Sequence, residues 1–151
     1  MANLVKSFLS KQDLNDVADA IKEAEKRTAG EIRVAIRQKR SKKEKAFSVE
    51  QLARNEFVHL GMMKTKERTG ILVFMLLESK EFFILADEHI NEKVAPRTWD
   101  SVAEAMSKQF ARKEFRYGLL DAVRAVGDHL AMHFPVKQGD KNELSNKVDI
   151  S

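Results

Sequence analysis

Apolar residues recur at helical spacing from Leu14 through Val17, Ala18, Ile21 and Ala24, then switch to strict alternation at Ile32, Val34 and Ile36. The first period predicts a helix over Lys11 to Ala29, and the second a half-buried strand over Glu31 to Arg37. Ser10 suits the N-cap with Asp13 three residues on, and Gly30 supplies the stop. A second helical period follows: Val49, Leu52, Ala53, Phe57 and Leu60, ending at Gly61. Ser48 with Gln51 fits a capping box ahead of it, and Phe47 with Leu52 a hydrophobic staple.

Ile71 to Leu77 is apolar without interruption, the pattern of a strand covered on both faces. The polar run Glu78-Ser79-Lys80-Glu81 turns the chain, which makes Phe82 to Ala86 the antiparallel partner. Pro96 suits the first turn of a third helix, whose stripe is Trp99, Val102, Ala103, Met106 and Phe110. A fourth helix carries Leu119, Val123, Val126 and Leu130 and stops before Pro135. From Lys137 the chain is polar and aperiodic. These boundaries predict one domain over residues 1–136 and a flexible polar tail over 137–151.

The element order predicts an α/β protein, an α/β/α sandwich whose small mixed sheet is flanked by helices. Strands one and two are joined through a helix and are therefore parallel; strand three returns by hairpin. Segments distant in sequence then meet at one rim of the sheet. That rim collects Glu31, Arg68, Thr69, Asp87, Glu88 and His89. Buried strands that end in charge put polar groups where binding sites form.

Composition narrows the chemistry. The 151 residues include no cysteine, which excludes disulfides, thiolate metal sites and cysteine nucleophiles. The most apolar stretch, Ile71 to Ala86, is broken by the polar turn, so no membrane span is expected. The first residues lack a signal-peptide pattern, which points to a cytoplasmic protein. Net charge is +4, and the run Arg37 to Lys45 (RQKRSKKEK) holds six basic residues against one acid. The run is either a solvated loop or a patch for an acidic partner. No aromatic residue interleaves it, which argues against nucleic-acid base stacking.

Calcium takes about six or more oxygens. Glu31, Asp87 and Glu88 can supply carboxylates for such an ion, with Thr69, Asn91 and backbone carbonyls adding oxygens. Arg68, Thr69, His89 and Asn91 are the candidates for a polar ligand, His89 as an acid and Arg68 as a phosphate clamp. The alternative is that the acids solvate a sheet edge and cap the next helix. His129 and His133 have a spacing that can hold a metal, but the glutamate of a metalloprotease motif is absent, and packing is the simpler role. Met62 and Met63 fit core filling, Trp99 a packing anchor, and His59 a helix end.

Several landmarks occur together: TAGEIRV from Thr28 to Val34, Leu60-Gly61-Met62 with Thr65, and Arg68-Thr69-Gly70-Ile71-Leu72. They continue with Ala86-Asp87, INEKV from Ile90 to Val94, Trp99-Asp100, Gly118-Leu119 and His133-Phe134-Pro135. With these the chain resembles the TPM-domain family, a phosphatase-like group, and most of all its short soluble bacterial branch. The resemblance implies an α/β/α sandwich with a polar cleft at the rim. It also implies acid phosphatase activity in some members and calcium binding in others, and no organic cofactor. The chain departs from the family pattern, which implies Asn or Asp where this sequence has Thr69, a glycine-rich turn where it has Ala86-Asp87-Glu88-His89, and an acid of the phosphatase-like branch where it has Asn91. A divalent cation such as calcium at the acidic rim is the leading expectation. A phosphatase and a non-catalytic interaction domain are the alternatives.

Overall fold

The computed structural model describes residues 3–136 and 144–151. Its helices are α1 (Asn3–Lys6), α2 (Lys11–Glu25), α3 (Val49–His59), α4 (Glu88–Asn91), α5 (Thr98–Ala111) and α6 (Phe115–His133). The strands β1 (Glu31–Arg37), β2 (Gly70–Leu76), β3 (Glu81–Ala86) and β4 (Asp149–Ile150) form one mixed sheet in the order β3-β2-β1-β4. The pair β1–β2 is parallel, β2–β3 antiparallel and β1–β4 parallel.

Alternation along the strands builds two cores. One face gives Ile32, Val34, Ile36, Ile71, Val73 and Met75 to a core shared with α2, α5 and α6. The other gives Ala35, Leu72, Phe74, Leu76 and Leu85 to a smaller core under α3, with Leu52, Ala53 and Phe57. Every residue of β2 is buried, the expected result for its unbroken apolar run. Helices α2 and α6 meet at Gly127, where a Cβ would lie 2.8 Å from that of Ala24.

Both expected capping boxes form, Ser10 with Asp13 and Ser48 with Gln51. Gly61 follows α3 in the left-handed conformation (φ 73°), the role of a glycine just past a helix end. Other expectations differ. Helix α2 ends at Glu25, before Ala29, because Thr28 is drawn into a bridge with Pro135. The Thr28 hydroxyl donates to the Phe134 carbonyl and accepts from the Gly30 N–H, so this threonine, not Gly30, fixes the entry to β1. Pro96 stands outside α5, ahead of its N-cap Arg97, which has φ 67°. Phe47 is exposed rather than stapled into the core.

The chain end also differs from an aperiodic tail. Residues 137–143 lie outside the described residues, but Asp149 and Ile150 pair with Ala35 and Ile36. Ser151 extends this pairing, donating its N–H to Ile36 and accepting from Gln38. Two residues of strand are too few to leave a period in the sequence.

Candidate functional site

The register fixes the acidic rim. Glu31 pairs with Gly70 across β1–β2, and Ile71 with Ala86 across β2–β3. The ladder continues outward, with the Glu31 N–H donating to Thr69 O at 3.0 Å and the Asp87 N–H to Gly70 O at 2.9 Å. Glu31, Thr69 and Asp87 therefore stand at one end of three adjacent strands, as the topology requires.

Asp87 is the centre of this rim. Its carboxylate is 5% exposed and accepts from Arg68 Nε and Nη2, both at 2.8 Å. Such a bidentate, charge-assisted pair is among the stronger side-chain contacts. Oδ1 also accepts from the Glu88 N–H at 2.8 Å, so Asp87 is the N-cap of α4. Arg68 reaches it from a left-handed residue (φ 57°), a conformation that costs a non-glycine roughly 1–2 kcal/mol. Its hydrogen bonds and charge pairing with Asp87, and more weakly Glu88, hold the guanidinium further into its charged form. The exposed Glu88 carboxylate lies 3.7 Å from Arg68.

The remaining candidates are dispersed. The Glu31 carboxylate is buried, and Oε1 accepts from the Leu144 N–H at 2.7 Å, toward the chain end. Beside it, Glu25 Oε2 accepts from the Ile32 N–H at 2.7 Å while Oε1 is buried without a partner. Burial pushes Glu25 up to about 7, the backbone bond opposes this, and neighbouring Glu31 adds to the rise. His89 Nδ1 lies 2.9 Å from Glu67 O, and its ring packs edge-on against Phe134. Asn91 Nδ2 donates to Ala86 O at 3.0 Å, and Thr69 is buried. His129 meets Trp99 edge-on, with ring centroids 5.6 Å apart. Met62 is fully buried above Gly70, whereas Met63 is exposed.

Asp87, Glu88, Arg68 and Asn91 border a cleft of about 300 Å³ whose far wall is Arg54, Phe57, Val58 and Met63. The strand periods that located the rim carry no information on which helix covers it, so Arg54 and Val58 carry no expectation of a site role, and Phe57 and Met63 read as core. The only sequence signal of this wall is the exposed pair Arg54 and Val58, four residues apart on one helix face. Oxygen donors at this cleft suit a hard cation chemically. Their arrangement is that of a guanidinium site: among the described residues no group of three or more His, Asp or Glu is disposed to hold a metal ion.

Residues 5–129 match the model of the TPM domain family. The chain belongs to this family. A solved TPM-like relative, the BA42 protein of the psychrophilic bacterium Bizionia argentinensis, is 35% identical, with a TM-score of 0.84 over 95% of this chain and 96% of that one. The N-terminal domain of the cg2496 protein of Corynebacterium glutamicum shares the fold alone, at 14% identity and TM-score 0.54, over 81% of this chain and 74% of that one. No curated protein matches. In this TPM domain, no helix among the described residues is long and apolar enough to cross a membrane.

Proposed function

We propose that the Asp87 rim is a cation-responsive binding site in which Arg68 is the resident cation and gives way to a divalent ion such as calcium. One observation carries this reading: a buried carboxylate has both oxygens taken by a guanidinium that is itself 37% exposed. Burial makes Asp87 demand a positive partner, and a partner at the surface can be exchanged. Glu88 beside Asp87, and Asn91 one turn further on, add oxygen chemistry to the same cleft. Exchange against Arg68 makes binding weak, in the millimolar range of sites with few carboxylates.

A phosphate-ester hydrolase needs in addition a nucleophile or activated water and a leaving-group acid. His89 keeps only Nδ1 on the Glu67 carbonyl, and Asp87 becomes available to any ligand only once Arg68 has moved, so cation binding, which needs no further group, takes precedence. A calcium titration followed by amide NMR tests it. The amides of Arg68, Thr69, Asp87, Glu88 and Asn91 shift at about 10 mM calcium, and the shifts vanish in Asp87→Asn. Absence of rim shifts in the wild type contradicts the reading. Turnover of a generic phosphate ester that requires both calcium and Asp87 would replace it with the hydrolase. Salt-sensitive polyanion binding through residues 37–45 alone would replace it with the interaction domain.

A further inference from the structure

A second concave surface lies on the α5–α6 pair, a groove of about 700 Å³ open to solvent. The two helices run antiparallel: Trp99 meets His129 at one end, and Gln109 Nε2 donates to Asp121 at 2.7 Å at the other. Along the floor Ala105 faces Ala122 and Ala125. Small residues on both helices leave the seam open where larger ones would fill it. Met132 extends the apolar line: it stands seven residues, or two turns, beyond Ala125 and is 74% exposed. An open groove floored by small apolar residues, with a large exposed apolar side chain further along the same helix, suits a contact surface.

Charge selects the partner. Lys108 and Arg112, one turn apart, border the groove and make no ion pair with the described residues. At the other end Arg97 is only loosely offset, 3.9 Å from Asp100 and 3.5 Å from Glu104. The one lining acid, Asp121, is occupied by Gln109 and lies 3.8 Å from Arg124. The α5 dipole explains basic residues in its last turn, but not the alanine floor beside them. A second copy, itself at net charge +4, is a poor match for this edge.

We infer that the α5–α6 groove docks an acidic amphipathic helix of a partner protein. Its apolar residues, at i, i+3 or i+4, and i+7, lie on the alanine floor and against Met132, and its carboxylates meet Lys108 and Arg112. From Thr98 to Arg112 the groove runs about 21 Å, enough for roughly four turns of helix.

The probe is a panel of helical peptides, about 15 residues long, sharing one apolar stripe with either acidic or basic flanks. Binding is followed by amide NMR on the full chain. Acidic members shift the amides of Ala105, Ala122, Ala125 and Met132, and basic members do not. Lys108→Gln/Arg112→Gln weakens binding at least ten-fold, as does Ala105→Glu, an exposed position that leaves the fold's own amide spectrum intact. If no acidic member shifts groove amides at millimolar peptide, or if both variants bind with unchanged affinity, the inference fails. Equal binding of acidic and basic peptides also overturns it, as does concentration-dependent dimerisation that Ala105→Glu abolishes.

Discussion

The two ends of the parallel strands handle charge in opposite ways. At the Asp87 end, carboxylates are buried and tied to the fold, Asp87 to Arg68 and Glu31 to the Leu144 N–H. At the far end, residues 37–45 pair three charges, Arg37, Arg40 and Glu44, and leave the rest in water. Arg37 pairs with Glu44, and Arg40 binds the Phe47 carbonyl and Glu81. Lys39, Lys42, Lys43 and Lys45 are exposed. The basic end has the greater local charge, yet the acidic end does more to shape the molecule. Desolvated charge must be matched and so fixes geometry, whereas exposed charge mainly sets a screened field.

The largest break in this contrast is Asp87→Ala. It removes a helix cap and a charge-assisted pair and leaves Arg68 in a strained conformation without compensation. Urea denaturation should show a loss of roughly 3 kcal/mol, and a loss below about 0.5 kcal/mol, typical of a surface change, would make the acidic end no different from the basic one. Glu25 sharpens the contrast through pH. Its carboxyl, raised from 4.5 to about 7, binds a proton more readily in the folded state. Its contribution to stability is full below about 4.5 and is lost as pH rises through about 7. Glu25→Gln should flatten the stability profile in that window, and an unchanged slope would refute it.

At the basic end, Arg40→Ala should cost about 1 kcal/mol, the value of one partly buried polar contact, measurable as a shift of the urea midpoint. Smallest is the change of Lys39, Lys42, Lys43 and Lys45 together to Gln. Stability should move by less than about 0.5 kcal/mol, while retention on a polyanion resin falls at low salt. A loss above 1 kcal/mol would show that those lysines are structural after all.

The strands were legible because their apolar runs are long and their periods unmixed: Ile32-Val34-Ile36 alternates, and Ile71 to Leu77 is continuous. Shared register then placed Glu31, Thr69 and Asp87 at one end. Burial of Glu31 was not legible. Alternation assigns it to the polar side of β1, and the Leu144 N–H that its Oε1 accepts comes from 113 residues further along the chain, beyond the reach of any period. The pairing of Arg68 with Asp87 was equally hidden, since it requires a left-handed arginine, which sequence patterns do not announce. Helix α4 is four residues long, too short to leave a period, so the sequence offers capping only as an alternative for Asp87, which in the fold is both rim acid and cap.

The exchange proposed at Asp87 is tested most directly at the Arg68 side chain. Its Nε–H donates to Asp87 Oδ2 at 2.8 Å, and its NMR signal reports that bond. Calcium should shift this signal toward that of a solvated arginine, and Arg68→Gln, which leaves Asp87 without its resident cation, should bind calcium more tightly at the same amides and gain thermal stability from it. An Nε–H signal that stays fixed as calcium is added, or a glutamine variant that binds no tighter than the wild type, would contradict the account.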